Sequence, residues 1–214
     1  MTPRPYRMDQ RALVTGETRA RVIAAARDIL NASAGMSASG GWSAAFTVEA
    51  IASRAGVARM TVYYQFGSKG GLVEALFDHL SADALMTRLP AAYARENPDE
   101  ALAAVIDAFT HFWGSDRLVM RRISALGALD PAVESATRAR DDRRRIGMGW
   151  LVGRIADQHA GTPAVDEAIQ VLFMLTSFET FDRLSGPDRT REDVTRTIQR
   201  LARCALGVPV QEDG

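Results

Sequence analysis

Residues 47–69 read TVEAIASRAGVARMTVYYQFGSK. Thr47 is placed to cap a helix over Val48–Ala55, and Gly56 to stop it, because a residue without a side chain tolerates the left-handed turn that ends a helix. A second helix is predicted over Arg59–Phe66. After Gly67, Ser68 can cap a third that continues to about Leu89, before Pro90. Two short helices joined by a tight glycine turn form a helix-turn-helix. Ala52 must be small because the second helix crosses over it. Ile51, Ala55, Val57 and Val62 make the core between the two. That leaves Arg59, Met60, Thr61, Tyr64 and Gln65 on exposed or partly exposed faces, and a helix so decorated fits the DNA major groove. The spacing alone also suits an ordinary helical hairpin inside a bundle.

Outward from this stretch the chain stays helical. Val22, Ile23, Ala26, Ile29 and Leu30 recur at helical spacing, so a helix is expected from Thr18 to near Gly35. Residues 1–17 are basic and contain proline, and are expected to be a flexible arm. The segment up to Phe46 is Gly/Ser-rich and reads as a loop. Toward the C-terminus, amphipathic helices are predicted near Asp99–Trp113, Arg117–Leu129, Pro131–His159, Ala164–Leu184 and Arg191–Leu206, with Pro98, Gly114, Pro131, Pro163 and Gly186-Pro187 as breakers. Thr190 and Asp193 resemble a capping box. The fold class is all-α, and no segment alternates well enough to be a strand. The expected division is an arm at 1–17, a three-helix DNA-binding domain at 18–70 and a helical domain at 71–214.

The 214 residues hold 26 basic and 26 acidic side chains, so the net charge is zero. The zero is uneven. Residues 1–70 carry nine basic side chains (Arg4, Arg7, Arg11, Arg19, Arg21, Arg27, Arg54, Arg59, Lys69) against four acidic ones (Asp9, Glu17, Asp28, Glu49), or +5, and the rest carries −5. A protein that coats nucleic acid with its whole surface is excluded, whereas one basic end favours phosphate contact there. A single cysteine, Cys204, excludes an internal disulfide. No apolar run reaches membrane-spanning length, and no signal peptide is visible, so a cytoplasmic location is expected. There is no G-x-S-x-G, H-E-x-x-H or Walker loop, His79, His111 and His159 lie far apart, and no metal or other cofactor is expected.

The run AIASRAGVARMTVYYQFGSKGGLVEALF resembles the N-terminal signature of the tetracycline-repressor (TetR) family of bacterial transcription regulators. The matching pieces are Ile51-Ala52, Ala55-Gly56-Val57, Thr61-Val62-Tyr63, Phe66 and Ser68-Lys69 followed by Leu72. The resemblance covers about residues 18–80. It implies that Thr47 meets a phosphate at a helix start, and that Tyr63 and Lys69, the only lysine of the chain, contact the DNA backbone. Arg59, Met60, Thr61 and Tyr64 become the base readers. Arg59 suits a bidentate contact to guanine, and Met60 an apolar contact to a thymine methyl. Two departures stand out. The loop Gly35–Phe46 is several residues longer than the family pattern, and Gln65 stands where His or Tyr is common. Arg4, Arg7 and Arg11 could enter a flanking minor groove or simply be solvated.

The same resemblance implies that residues 71–214 bind a small effector and dimerise. Met86, Phe109, Phe112, Trp113, Met120, Trp150 and Phe173, with Ser124 and Thr176 as polar groups, are the pocket candidates, which points to an apolar or aromatic ligand. The last two predicted helices carry apolar stripes, Val171, Leu175 and Phe178 on one and Val194, Ile198 and Leu201 on the other. They are expected to build a homodimer that places two recognition helices on palindromic double-stranded operator DNA. Release of the operator on ligand binding would make it a repressor. The alternatives are a DNA-binding dimer without a small effector, and an all-α enzyme. The alternating charges of Arg138–Arg145 read as a solvated face.

Overall fold

The computed structural model describes residues 5–32, 43 and 45–209, with the side chains of 5–14, 83 and 84 left out. Eleven helices occur among them: α1 Pro5–Ala32, α2 Val48–Ala55, α3 Arg59–Phe66, α4 Lys69–Ala84, α5 Arg88–Tyr93, α6 Pro98–Ser115, α7 Arg117–Gly127, α8 Pro131–Gln158, α9 Val165–Leu175, α10 Phe178–Leu184 and α11 Arg191–Ala205. No strand is present among the described residues, so the fold is all-α. The chain forms two compact units, residues 1–79 with 122–137, and residues 80–121 with 138–214.

In the first unit, α1 starts at Pro5 rather than Thr18. Proline is well tolerated at a helix start, and Arg, Gln, Ala and Leu then carry the helix on. The expected arm is therefore helical from Pro5. Residues 1–4, the side chains of Arg7 and Arg11, and most of the Gly35–Phe46 loop lie outside the described residues. Val22, Ile23, Ala26 and Leu30 of α1 are buried, as are Val48, Ile51, Ala52 and Ala55 of α2, Val62 of α3, and Leu72, Val73, Leu76 and Phe77 of α4. Residues 122–137, expected in the other domain, add Ile123, Leu126, Val133 and Ala136 to the buried set. The Arg122 guanidinium donates to the Leu30 carbonyl, which ties the middle of α7 to the end of α1.

The second unit has its own core, in which α6, α8, α9 and α11 contribute Leu102, Ile106, Met148, Leu151, Leu172, Val194 and Ile198. Three boundaries differ from the sequence expectation. Pro90 and Pro98 lie inside the first turns of α5 and α6 rather than between helices. The amide that proline lacks is unpaired there anyway, so it starts a helix as readily as it ends one. Ala164–Leu184 is two helices, because Ser177 caps α10 by accepting from the Thr180 amide at 3.1 Å. The capping box of α11 forms as read, with Thr190 and Asp193 exchanging side-chain-to-backbone bonds.

The residues expected in the dimer stripe divide by burial within the chain. Val194 and Ile198 are fully buried in the chain's own core, and Leu175 and Phe178 are buried too. An amphipathic helix at the edge of a bundle satisfies its apolar face inside the subunit first. Here α11 packs on α6 and α9, and the Thr110 and Thr195 hydroxyls share a buried 2.7 Å hydrogen bond. Val171 is half-buried, and Leu201 is exposed.

Candidate nucleic-acid interface

The helix-turn-helix is set by local chemistry. The Thr47 hydroxyl accepts from the Ala50 amide at 3.1 Å, and Glu49 and Arg54 lie at the ends of α2 that suit their charges. Gly56 adopts φ +65°, ψ +39°, and its amide reaches the Ala52 and Ser53 carbonyls. The Cβ of any other residue would make that turn costly. Ala58 is extended, α3 follows at once, and Gly67 ends it at φ +73°. The Ser68 hydroxyl then accepts from the Gly71 amide at 3.0 Å and opens α4.

The two faces of α3 have opposite fates. Val62 is 1% exposed, whereas Met60 is 71% and Tyr64 89% exposed. Large apolar surface left open on an eight-residue helix is costly to hydrate, and is the form a docking face takes. Arg59 is also exposed. Its Nε lies 2.9 Å from Glu49 Oε1, and its guanidinium donates to the Tyr63 hydroxyl at 3.2 Å. The Tyr63 hydrogen bond, with the Glu49 charge behind it, raises the Arg59 pKa above its already high value. Thr61 and Tyr63 are half-buried.

Gln65 is committed to α1. Its amide donates to the Thr15 carbonyl at 3.4 Å, while its own carbonyl accepts from Arg19 at 3.1 Å. The Arg19 guanidinium also lies 4.5 Å from the centre of the Phe66 ring. The Lys69 side chain is about three-quarters buried, 2.8 Å from Asp130 Oδ2 and 5.3 Å from the centre of the Phe46 ring. Neither Asp130 nor Glu49 was singled out in the sequence. For Glu49, its place in the first turn of α2 was the available signal. Asp130 had none.

Of the expected effector residues, the second unit brings an aromatic group together. Trp113 has ring-centre distances of 6.3 Å to Phe109, 4.6 Å to Phe112 and 5.7 Å to Phe178, and its indole nitrogen donates to the Thr176 carbonyl at 3.0 Å. Phe178, also expected at a dimer interface, joins this group. Thr176 and Met120 are buried. Phe173 carries the Arg144 and Arg145 guanidinium groups at 4.0 and 4.1 Å from its ring centre. The remaining three stand apart. Met86 and Trp150 are exposed, the latter under Arg154 and edge-on to Tyr93, and Ser124 is exposed in the first unit.

Arg144 itself was missed. Read as part of a solvated face, it keeps only 9% of its side chain exposed, donates to the Phe173 carbonyl and pairs with Asp141 at 3.0 Å. Burial lowers its pKa. The register Arg144, Met148, Leu151, Ile155 was the signal, since the last three are fully buried on one helix face. Among the described residues, no helix is long and apolar enough to cross a membrane, and no His, Cys, Asp and Glu cluster could hold a metal ion.

A helix-turn-helix with an open reading face, joined to a helical second unit, defines a DNA-binding transcription regulator. Residues 29–76 match the family model of the bacterial regulatory proteins of the tetR family, which places the helix-turn-helix segment in that domain family. No curated protein sequence matches the chain. Solved structures share the fold. A transcriptional regulator from Rhodococcus sp. Rha1 is 19% identical, with 88% of this chain and 96% of that one covered at a TM-score of 0.61. A TetR/AcrR-family regulator from Thermobifida fusca is 21% identical, with 86% and 95% covered at 0.56. The ketosteroid transcriptional regulator of Mycobacterium tuberculosis is 18% identical, with 88% and 93% covered at 0.54.

Proposed function

We propose that the protein is a cytoplasmic repressor that binds a palindromic operator as a homodimer and is released by a small apolar or aromatic ligand. The observation that carries the DNA part is the outward face of α3, where Met60 and Tyr64 stand open beside Arg59 while Val62 is buried. Arg59, Met60, Thr61 and Tyr64 read bases, and Thr47, Tyr63 and Lys69 meet phosphates. Gln65, held to α1, acts by fixing the angle of α3 rather than by touching DNA.

The aromatic group around Trp113, bordered by Thr176 and linked to Phe173 through the Arg144 guanidinium, supports the ligand reading. Exposed Ile146 and Trp150, one turn apart on α8, and Met174 on α9 supply apolar surface for a second copy. Leu201 and Val171 remain as contributors. The test is selection of bound duplexes from a random pool. An enriched inverted repeat is expected, and a pool that stays random would defeat the reading. Sedimentation at micromolar concentration should show a dimer, and thermal shifts across small aromatic and aliphatic molecules should show at least one stabilising ligand.

A further inference from the structure

Lys69 opens α4, and Asp130 precedes α8. The two first turns meet backbone to backbone: a Cβ on Gly70 would lie 2.7 Å from the Ala132 carbonyl oxygen. Only glycine lets the helices approach so closely, and this approach brings Lys69 Nζ to 2.8 Å from Asp130 Oδ2. Asp130 is fixed in place. Its other carboxylate oxygen accepts from the Ala132 amide at 2.9 Å, and its carbonyl accepts from Val133 and Glu134. The lysine is therefore the movable partner of a carboxylate that cannot follow it. Both side chains are about three-quarters buried, so water and salt screen the pair less than they would an open surface pair.

We propose that Asp130 is an internal substitute for a DNA phosphate: it occupies Lys69 in the free head, must be displaced for Lys69 to meet DNA, and so lowers the affinity of the head for every sequence. This rests on the DNA-binding reading. Non-specific affinity comes from phosphate neutralisation, so a cation already neutralised within the protein contributes little until its internal partner is outcompeted. The carboxylate left behind also faces the incoming phosphate with like charge.

Asp130→Asn tests it, because asparagine keeps the shape and the capping capacity and removes the charge. The probe is a fluorescein-labelled mixed-sequence duplex, titrated by anisotropy at low salt. Asp130→Asn should bind about two- to fivefold more tightly per head, and Asp130→Ser, which also caps, should do the same if the first variant is unstable. In a Lys69→Ala background the Asp130→Asn gain should vanish. An unchanged affinity for both Asp130 variants would overturn the proposal. So would an equal gain without Lys69, which would make Asp130 a distant repulsive charge rather than a competitor. If the unaltered protein bound no duplex at all, the DNA reading itself would fall, and this proposal with it.

Discussion

Within α3, two residues only two positions apart should behave in opposite ways when cut to alanine. Val62 is 1% exposed, and Val62→Ala removes two buried methyl groups. At roughly 0.8 kcal/mol for each buried carbon that is about 1.6 kcal/mol, with a further cost for the cavity left behind. Alanine returns about 0.5 kcal/mol of helix propensity. The net loss is about 1–2 kcal/mol, or roughly 2–8 °C in melting temperature for a chain of this size. Tyr64 is 89% exposed. Tyr64→Ala removes no packing and gains the same propensity, so the melting temperature should hold or rise slightly. DNA affinity should instead fall by about 1–3 kcal/mol, roughly five- to 150-fold. Circular-dichroism melting and anisotropy with a selected duplex read the two quantities separately. If Tyr64→Ala melted as early as Val62→Ala, that face would be packed within the protein. If it melted normally and kept full affinity, α3 would not be the reading helix.

Arg59→Ala should cost about 1–3 kcal/mol in DNA binding and relax preference at one base position, as judged by repeated duplex selection. Glu49→Gln frees the same guanidinium and should tighten binding while preserving the preference. Tyr93 is held protonated by burial, which pushes its pKa up to about 12 from the usual 10. Its contribution to stability is therefore whole below pH 10 and lost as pH rises toward 12. Near-ultraviolet absorbance should show one tyrosine ionising late, and Tyr93→Phe should remove that late step. Ile146→Glu should shift the sedimentation of the protein toward monomer with folding intact, whereas Val194→Glu, in the interior, should lower the melting temperature by several degrees or abolish folding, at about 3 kcal/mol or more for a buried unpaired charge.

Legibility in the sequence followed the range of the forces involved. The bounds of α2 and α3 were readable because Thr47, Gly56 and Gly67 each act on their own turn. The capping box at Thr190 was readable for the same reason. What covers an apolar stripe was not. Val194 and Ile198 announce a buried face, but nothing in their spacing says whether α6 of the same chain or a second subunit lies on it. Proline carries a similar ambiguity, since the missing amide that ends one helix begins the next at Pro90 and Pro98. The break at Ser177 was hidden because a hydroxyl that can cap a helix can equally bond back within one.

Charge shows the limit most clearly. By sequence, residues 1–70 are +5 and would pull on phosphate as a block. The compact unit to which they belong also holds residues 71–79 and 122–137, and so gains Arg122 together with Glu74, Asp78, Asp130 and Glu134, which brings it to ten basic and eight acidic side chains, or +2. A unit so nearly neutral is steered to DNA less by its total charge than by where its cations stand and what already holds them. Arg59 is held by Glu49 and Lys69 by Asp130. The salt dependence of DNA binding should therefore respond to two acids as well as to the cations they hold, and one of those acids lies far outside the stretch that reads as DNA-binding.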